Sequence, residues 1–282
     1  MYNIVVMTEL KQINTELFPG LKDPSKAQLR LWSRLDRGKV RKETGLFLAE
    51  GYKIVSNLLD SAWKVQALLV REDKEERWIA FLKGLPANLP CYGLSIREWG
   101  TLTQDAAPEG IMAVGIAPLE KPQSDLILKE EGPLLLLSEI NNPGNLGTII
   151  RTAHWFGFSN IILSRGSVSP LNPKVIRAAM GSLFHISCLS EVDLSEVLLQ
   201  LKGRYQLVGT SVQGGDRPHP CRKNTALLLG SESHGLPDSL LRRTDEQWHI
   251  PRVGGGESLS LPQAAAILMY ECVHVNALSQ DG

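Results

Sequence analysis

Residues 134–151 read LLLLSEINNPGNLGTIIR. Four consecutive leucines, Leu134–Leu137, closed by a turn signal, describe a strand buried on both faces. The Pro143-Gly144 turn follows, and Leu146, Ile149 and Ile150 then recur at helical spacing, so a helix is expected over about Leu146–Trp155, with Asn145 at its start. In open α/β sheets, ligands sit beyond the carboxyl ends of the strands. A helix N-terminus there offers free N–H groups and partial positive charge to a phosphate or carboxylate. With Asn145 as cap, Arg151 lies less than two turns on, where a guanidinium can fork onto phosphate oxygens. The plainer alternative is that Asn145 only caps and Arg151 only pairs with a surface carboxylate.

The pattern repeats downstream. Residues 226–237, ALLLGSESHGLP, are again a buried strand running into a turn and helix. Gly230 permits close approach of a ligand to the backbone, and Glu232 stands at the strand end. Ser233 in Ser231–Gly235 loosely resembles a nucleophile elbow, but the first glycine is missing and no oxyanion segment precedes it. Residues 249–264, HIPRVGGGESLSLPQA, hold a three-glycine loop before an Ala-rich helix. Ser258 and Ser260 can cap that helix or offer hydroxyls to a ligand. GGGESL is not GxGxxG, so a dinucleotide fold is not expected.

Around these segments, strands are expected at Leu134–Ser138, Asn160–Leu163, His185–Leu189, Gln206–Thr210 and Ala226–Leu229, with a short one near Trp248–Ile250. Helices are expected at Pro173–Leu183, Leu194–Lys202, Asp238–Arg242 and Leu261–Leu278. Such alternation implies an α/β fold with a mostly parallel sheet over residues 133–282. Residues 119–132, inside the Pro- and charge-rich APLEKPQSDLILKEEG, read as a linker. A smaller α/β unit is read over 26–118, preceded by an irregular arm, 1–25. Its first part, SKAQLRLWSRLDRGKVRK at 25–42, sets seven cations against Asp36 alone. Leu29, Leu31, Trp32 and Leu35 give it helical amphipathicity, so one basic helix running into a basic loop is expected. Arg34, Arg37, Lys39 and Arg41 are candidate phosphate contacts; the alternative is a solvated helix face.

The full chain has 282 residues with 43% hydrophobic and 21% charged, the balance of a protein with a sizeable core. Thirty basic and thirty acidic residues cancel, which excludes a uniformly basic nucleic-acid coat and leaves room for a local basic face. No apolar run approaches the roughly 20 residues of a membrane span. MYNIVVMTELKQ has neither the charged start and apolar run of a secretory signal nor the Arg-rich bias of a transit peptide. A cytoplasmic protein is expected. Cys91, Cys188, Cys221 and Cys272 show no CxxC spacing, so reduced and mostly buried thiols are expected. No metal site is expected from the six histidines.

Taken in order, the three segments resemble the TrmH/SpoU family of SPOUT RNA 2′-O-ribose methyltransferases. Asn145, Gly147, Arg151, Thr152 and Ala153 match its first motif. Gly230, Glu232, Gly235 and Leu236 match its second, and Ile250, Pro251, Ser258 and Leu259 its third. The stretch NPKVIRAAMGS at 172–182, with Arg177, is similar to a family segment near the active site. GLFLAEG at 45–51 lies in a region that resembles the L30e-like substrate-binding domain of the ribosomal-RNA members.

The resemblance implies a SPOUT α/β-knot with a C-terminal trefoil knot, such knots being exceptions to ordinary topology. It implies S-adenosyl-L-methionine as cofactor, held at Gly230, Ile250 and Leu259, and Arg151, Asn145, Glu232 and Ser258 as functional polar residues. Arg34, Arg37, Lys39, Arg41 and Arg177 become candidate RNA contacts, and a homodimer is implied. Ribosomal RNA of the 23S type is the favoured substrate; a tRNA methyltransferase or an inactive RNA-binding relative are the alternatives. The family usually carries Asn where this chain has Ser260, a shorter side chain without the amide.

Overall fold

A computed structural model describes residues 20–118, 131–255 and 258–278, with side chains up to residue 273. Most of the expected 1–25 arm and of the 119–132 linker lies outside the described residues, as do Gly256 and Glu257.

The first unit opens with two short helices, α1 (Lys26–Trp32) and α2 (Gly38–Thr44), rather than one basic helix. The chain turns between them, and the backbone carbonyls freed by the break need donors. Arg41 supplies them: its Nη1 donates to Leu35 O at 2.8 Å and Asp36 O at 2.7 Å, and the residue is only 5% exposed. Burial pushes its guanidinium below the usual range, partly offset by Asp36. Arg41 is therefore a structural cation, and the expectation that it contacts RNA is corrected. Strands β1 (Leu46–Glu50), β2 (Lys64–Arg71), β3 (Cys91–Leu94) and β4 (Ile111–Ile116) form a sheet in the order β1-β4-β2-β3. Only the β2–β3 pair in it is parallel. Helices α3 (Tyr52–Leu59), α4 (Glu75–Lys83) and α5 (Ile96–Trp99) complete the unit. Trp32, Leu35 and Val40 pack against one sheet face with Leu48, Leu69 and Val114.

The second unit contains β5 (Leu134–Leu137), α6 (Pro143–Trp155), β6 (Asn160–Ser164), α7 (Pro173–Ala179), β7 (Ser187–Val192) and α8 (Leu194–Leu201). It continues with β8 (Gln206–Thr210), β9 (Thr225–Leu229), α9 (Asp238–Leu241), β10 (Glu246–Trp248) and α10 (Leu261–Leu278). The sheet order is β10-β8-β9-β5-β6-β7, with every neighbouring pair parallel. The central strands β5 and β9 are buried throughout, as their unbroken apolar runs require. Helix α7 stops four residues earlier than expected. Met180 and Gly181 both take left-handed conformations (φ 51° and 93°), and a short 3₁₀ turn, Ser182–His185, follows. That turn takes up the start of the strand expected at His185, and β7 runs on to Val192.

Two thiols expected to be free are not. Cys221 and Cys272 form a disulfide with Cα atoms 4.5 Å apart, and Cys221 N–H donates to Cys272 O at 2.9 Å. The bond ties the connection before β9 to α10, 51 positions on, a pairing that only the tertiary fold creates. Cys91 and Cys188 take no part in a disulfide. No helix among the described residues is long and apolar enough to cross a membrane, and none of their His, Cys, Asp and Glu side chains cluster in a metal-holding group.

One apolar core runs through both units. Phe47, Ile54 and Leu58 of the first join Ile149, Val175 and Phe184 of the second in a single buried cluster.

Candidate active site

Strands β5 and β9 are neighbours in register, Leu137 beside Leu229, and the chain leaves both at the same edge of the sheet. From β5 the connections run outward on one side to β6 and β7, and β8, β9 and β10 lie on the other. This reversal is the switch point at which such sheets bind ligands. Segments 138–145, 230–236 and 249–260 all follow strands of this sheet at that edge.

The loop after β5 is pinned by hydrogen bonds. Ser138 N–H donates to Leu229 O at 2.9 Å, Glu139 N–H to Ser164 Oγ at 2.8 Å and Ile140 N–H to Ser167 Oγ at 3.2 Å. Glu139 takes a left-handed conformation, φ 55°. The cap of α6 is Asn142, whose Oδ1 accepts from Gly144 N at 2.8 Å and Asn145 N at 3.2 Å, with Pro143 in the first helical turn. The expectation that Asn145 caps is thus corrected. Proline favours the first helical position, and Asn directly before it is the signal that marks this start. Asn145 sits half-buried in the first turn, and Arg151 is exposed about 9 Å further along the axis. Gly147 is buried where α6 crosses α7: a Cβ there would lie 2.5 Å from Ala178 Cβ and 2.6 Å from Val175 O.

After β9 the chain folds back on itself. A Cβ on Gly230 would lie 2.0 Å from the Gly235 carbonyl carbon, and Gly235 N–H donates to Ser231 O at 2.9 Å. The close approach expected at Gly230 is made by the protein's own backbone. Glu232 is exposed, and its Oε1 accepts from Leu261 N at 3.4 Å. The second segment is thereby joined to the start of α10, directly after Ser258, Leu259 and Ser260. Ser233 is exposed, and no histidine bonds it among the described residues. In the third segment Ile250 is half-buried against the core. Val253 and Leu259 are 99% and 48% exposed, and Gly254 and Gly255 face open space. Ser260 N–H lies 3.4 Å from Gln263 Oε1. Among the described residues no hydrogen bond joins Arg151 to Asn145, Glu232 or Ser258.

Arg34, Arg37 and Lys39 are exposed on the first unit, and Lys39 pairs loosely with Glu43 at 3.9 Å. Arg177 is half-buried. It lies at the junction of the two units, with Nη1 3.8 Å from Asp105 Oδ2.

A parallel α/β sheet joined to a smaller N-terminal unit is the architecture of SpoU/TrmH SPOUT methyltransferases. Known proteins agree. The SpoU rRNA Methylase family matches residues 133–270, and the MRM3-like substrate binding domain matches residues 26–113. The 23S rRNA (guanosine(2553)-2′-O)-methyltransferase RlmP of Bacillus subtilis is 33% identical over 265 residues, covering 93% of this chain and 98% of that protein. The crystal structure of the SpoU methyltransferase AviRb from Streptomyces viridochromogenes, in complex with AdoMet, superposes with a TM-score of 0.79. It is 26% identical and covers 90% of this chain and 99% of that one. An AdoMet-bound rRNA methyltransferase from Sinorhizobium meliloti gives a TM-score of 0.77 at 29% identity, over 90% of this chain and 98% of that one. The chain belongs to the SpoU rRNA methylase family.

Proposed function

We propose that the protein transfers the methyl group of S-adenosyl-L-methionine to a ribose 2′-hydroxyl of ribosomal RNA of the 23S type. The observation that carries this reading is the convergence of the three motif segments at one sheet edge, with Arg151 exposed about two turns along the helix that starts there. The chemistry of that edge suits the cofactor: Val253 and Leu259 offer apolar contact and Gly254 and Gly255 offer open backbone. Gly230, Ile250 and Leu259 are the positions assigned to hold it. When bound, the cofactor supplies a sulfonium-activated methyl group.

The protein's own contribution is positioning and charge. Arg151 grips the phosphate beside the target ribose and stabilises negative charge developing on the 2′-oxygen as the hydroxyl proton passes to solvent. Asn145, at the start of the same helix, and Ser258 orient the nucleotide. Glu232 holds the second segment onto the helix that follows the third. Arg34, Arg37 and Lys39 give the first unit, residues 26–118, its phosphate contacts. Trp155 on α6 is 85% exposed, and Ile267 and Tyr270 on α10 are 38% and 53% exposed. A stable monomer rarely leaves such a face open, and it fits a second copy of this chain in a homodimer.

The experiment is methylation of ribosomal RNA transcripts by the purified protein with the cofactor, followed by alkaline hydrolysis. A 2′-O-methyl group blocks cleavage, so a resistant dinucleotide is expected. Complete hydrolysis, or label confined to a base, contradicts the reading.

A further inference from the structure

The two units are not joined by a linker alone. Phe184, on the 3₁₀ turn after α7, is 4% exposed. Its ring stacks on Phe47 of β1, with centroids 6.0 Å apart, and meets Trp63 edge-on at 5.3 Å. Gly115, opposite Phe47 in the sheet, has no Cβ and lets that ring lie flat across it: a Cβ would fall 2.2 Å from the Phe47 ring. Gly181 lies against α3, where a Cβ would come within 2.5 Å of Asn57 Cβ. At the rim of this junction Arg177 faces Asp105 at 3.8 Å, next to Glu50, which accepts from Thr103 Oγ1 at 2.5 Å. Asp36, Glu50, Gln104 and Arg177 share the lining of one small cleft between the units. The element that carries Arg177, Gly181 and Phe184, α7 with its following turn, is the one packed on α6 through Gly147 and Ala178.

We propose that Arg177 is a positioning residue: through Asp105 it locks the RNA-binding unit at a fixed attitude to α6, so that RNA held by the first unit reaches the Arg151 edge in register. A hinge would let each half of the protein find its own part of the RNA. A rigid junction demands that anchor and target lie at one separation, which makes the junction a determinant of substrate choice. A folded RNA domain is the substrate class that can present two features so spaced; a short single-stranded fragment is not.

The proposal rests on the RNA-methylation reading for its kinetic arm and is independent of it for its structural arm. Arg177→Ala and Arg177→Lys are compared with the unaltered protein. The measurements are kcat and KM on a folded 23S rRNA domain transcript, calorimetry with S-adenosyl-L-methionine, and amide hydrogen exchange. Loss of one half-exposed ion pair predicts a KM for RNA about three- to fivefold higher in Arg177→Ala, with kcat unchanged within error and cofactor affinity unchanged. Exchange should rise in 46–50, 103–105 and 173–184, and Arg177→Lys should restore most of both effects. An unchanged KM overturns the proposal, and so does a parallel loss of cofactor affinity, which would put Arg177 in the reaction site. Unchanged exchange at the junction overturns it whatever the activity shows. Absence of methylation by the unaltered protein counts against the function instead, and exchange then decides the lock.

Discussion

Glu232 Oε1 accepts the backbone N–H of Leu261 at 3.4 Å, so a side chain of the second motif caps the helix that follows the third. The carboxylate meets the positive end of α10 and holds the 231–235 turn against it. Glu232→Ala should cost about 0.5–1 kcal/mol of stability, the scale of a lost helix cap. Methyl transfer should fall more steeply, by about tenfold or more, because two loops of the site lose their shared anchor. Thermal melting and initial rates measured side by side check this; a rate loss no larger than the stability loss explains would remove Glu232 from the site.

Gly147 lies where α6 packs against α7. Gly147→Ala places a methyl group against Ala178 Cβ and the Val175 carbonyl, and backbone cannot swing aside as a side-chain tip can. The helices must part, at a cost of about 1–3 kcal/mol. Urea denaturation should show a lower midpoint with an unchanged slope.

The Cys221–Cys272 disulfide closes a loop of 51 residues, a span for which chain entropy predicts about 4 kcal/mol of stabilisation. Thiol titration of the unfolded protein should find two reactive cysteines without reductant and four with it. Reduction, or Cys221→Ser, should lower the melting temperature. Four titratable thiols before reduction would show that the bond does not form.

Burial raises the Glu50 carboxyl above its ordinary value; the Thr103 hydroxyl and the Gln104 backbone oppose this. A group whose pKa rises on folding stabilises below its unfolded value of about 4.5, and that stability is lost as pH climbs through the raised folded value. Glu50→Gln keeps an acceptor for Thr103 and removes the buried charge. The variant should therefore melt higher than the unaltered protein at pH 7, and the difference should shrink toward zero below about pH 4.5. A difference independent of pH would refute the assignment.

How much of this is legible in the sequence depends on how local the cause is. Leu134–Leu137 and Thr225–Leu229 announce buried parallel strands because nothing polar interrupts them. The bounds of α10 at Leu261–Leu278 follow from a long apolar period. The start of α6 was within reach, since Asn142-Pro143 carries a start signal, but Asn145 three residues on offered the same side chain. The stop of α7 at Met180 carries a local signal in Gly181, but Leu183 and Phe184 continue the apolar pattern past it. Arg41 reads as one cation among seven, and nothing local says that the break after α1 would bury it. The Cys221–Cys272 bond and the seating of Phe184 between Phe47 and Trp63 join residues far apart in the chain. No spacing rule reaches them. The three motifs that meet at the strand-end edge are legible, and the junction between the two units is not.

Arg151 is the charged group on which the proposed methyl transfer depends. Wild-type protein and Arg151→Ala should be given tritiated S-adenosyl-L-methionine and unmodified 23S rRNA, and label in alkali-resistant dinucleotides counted. A loss of about a hundredfold or more, with cofactor binding retained, is the result expected when a charged group at the reacting oxygen is removed. Transfer by Arg151→Ala at the wild-type rate would contradict the mechanism.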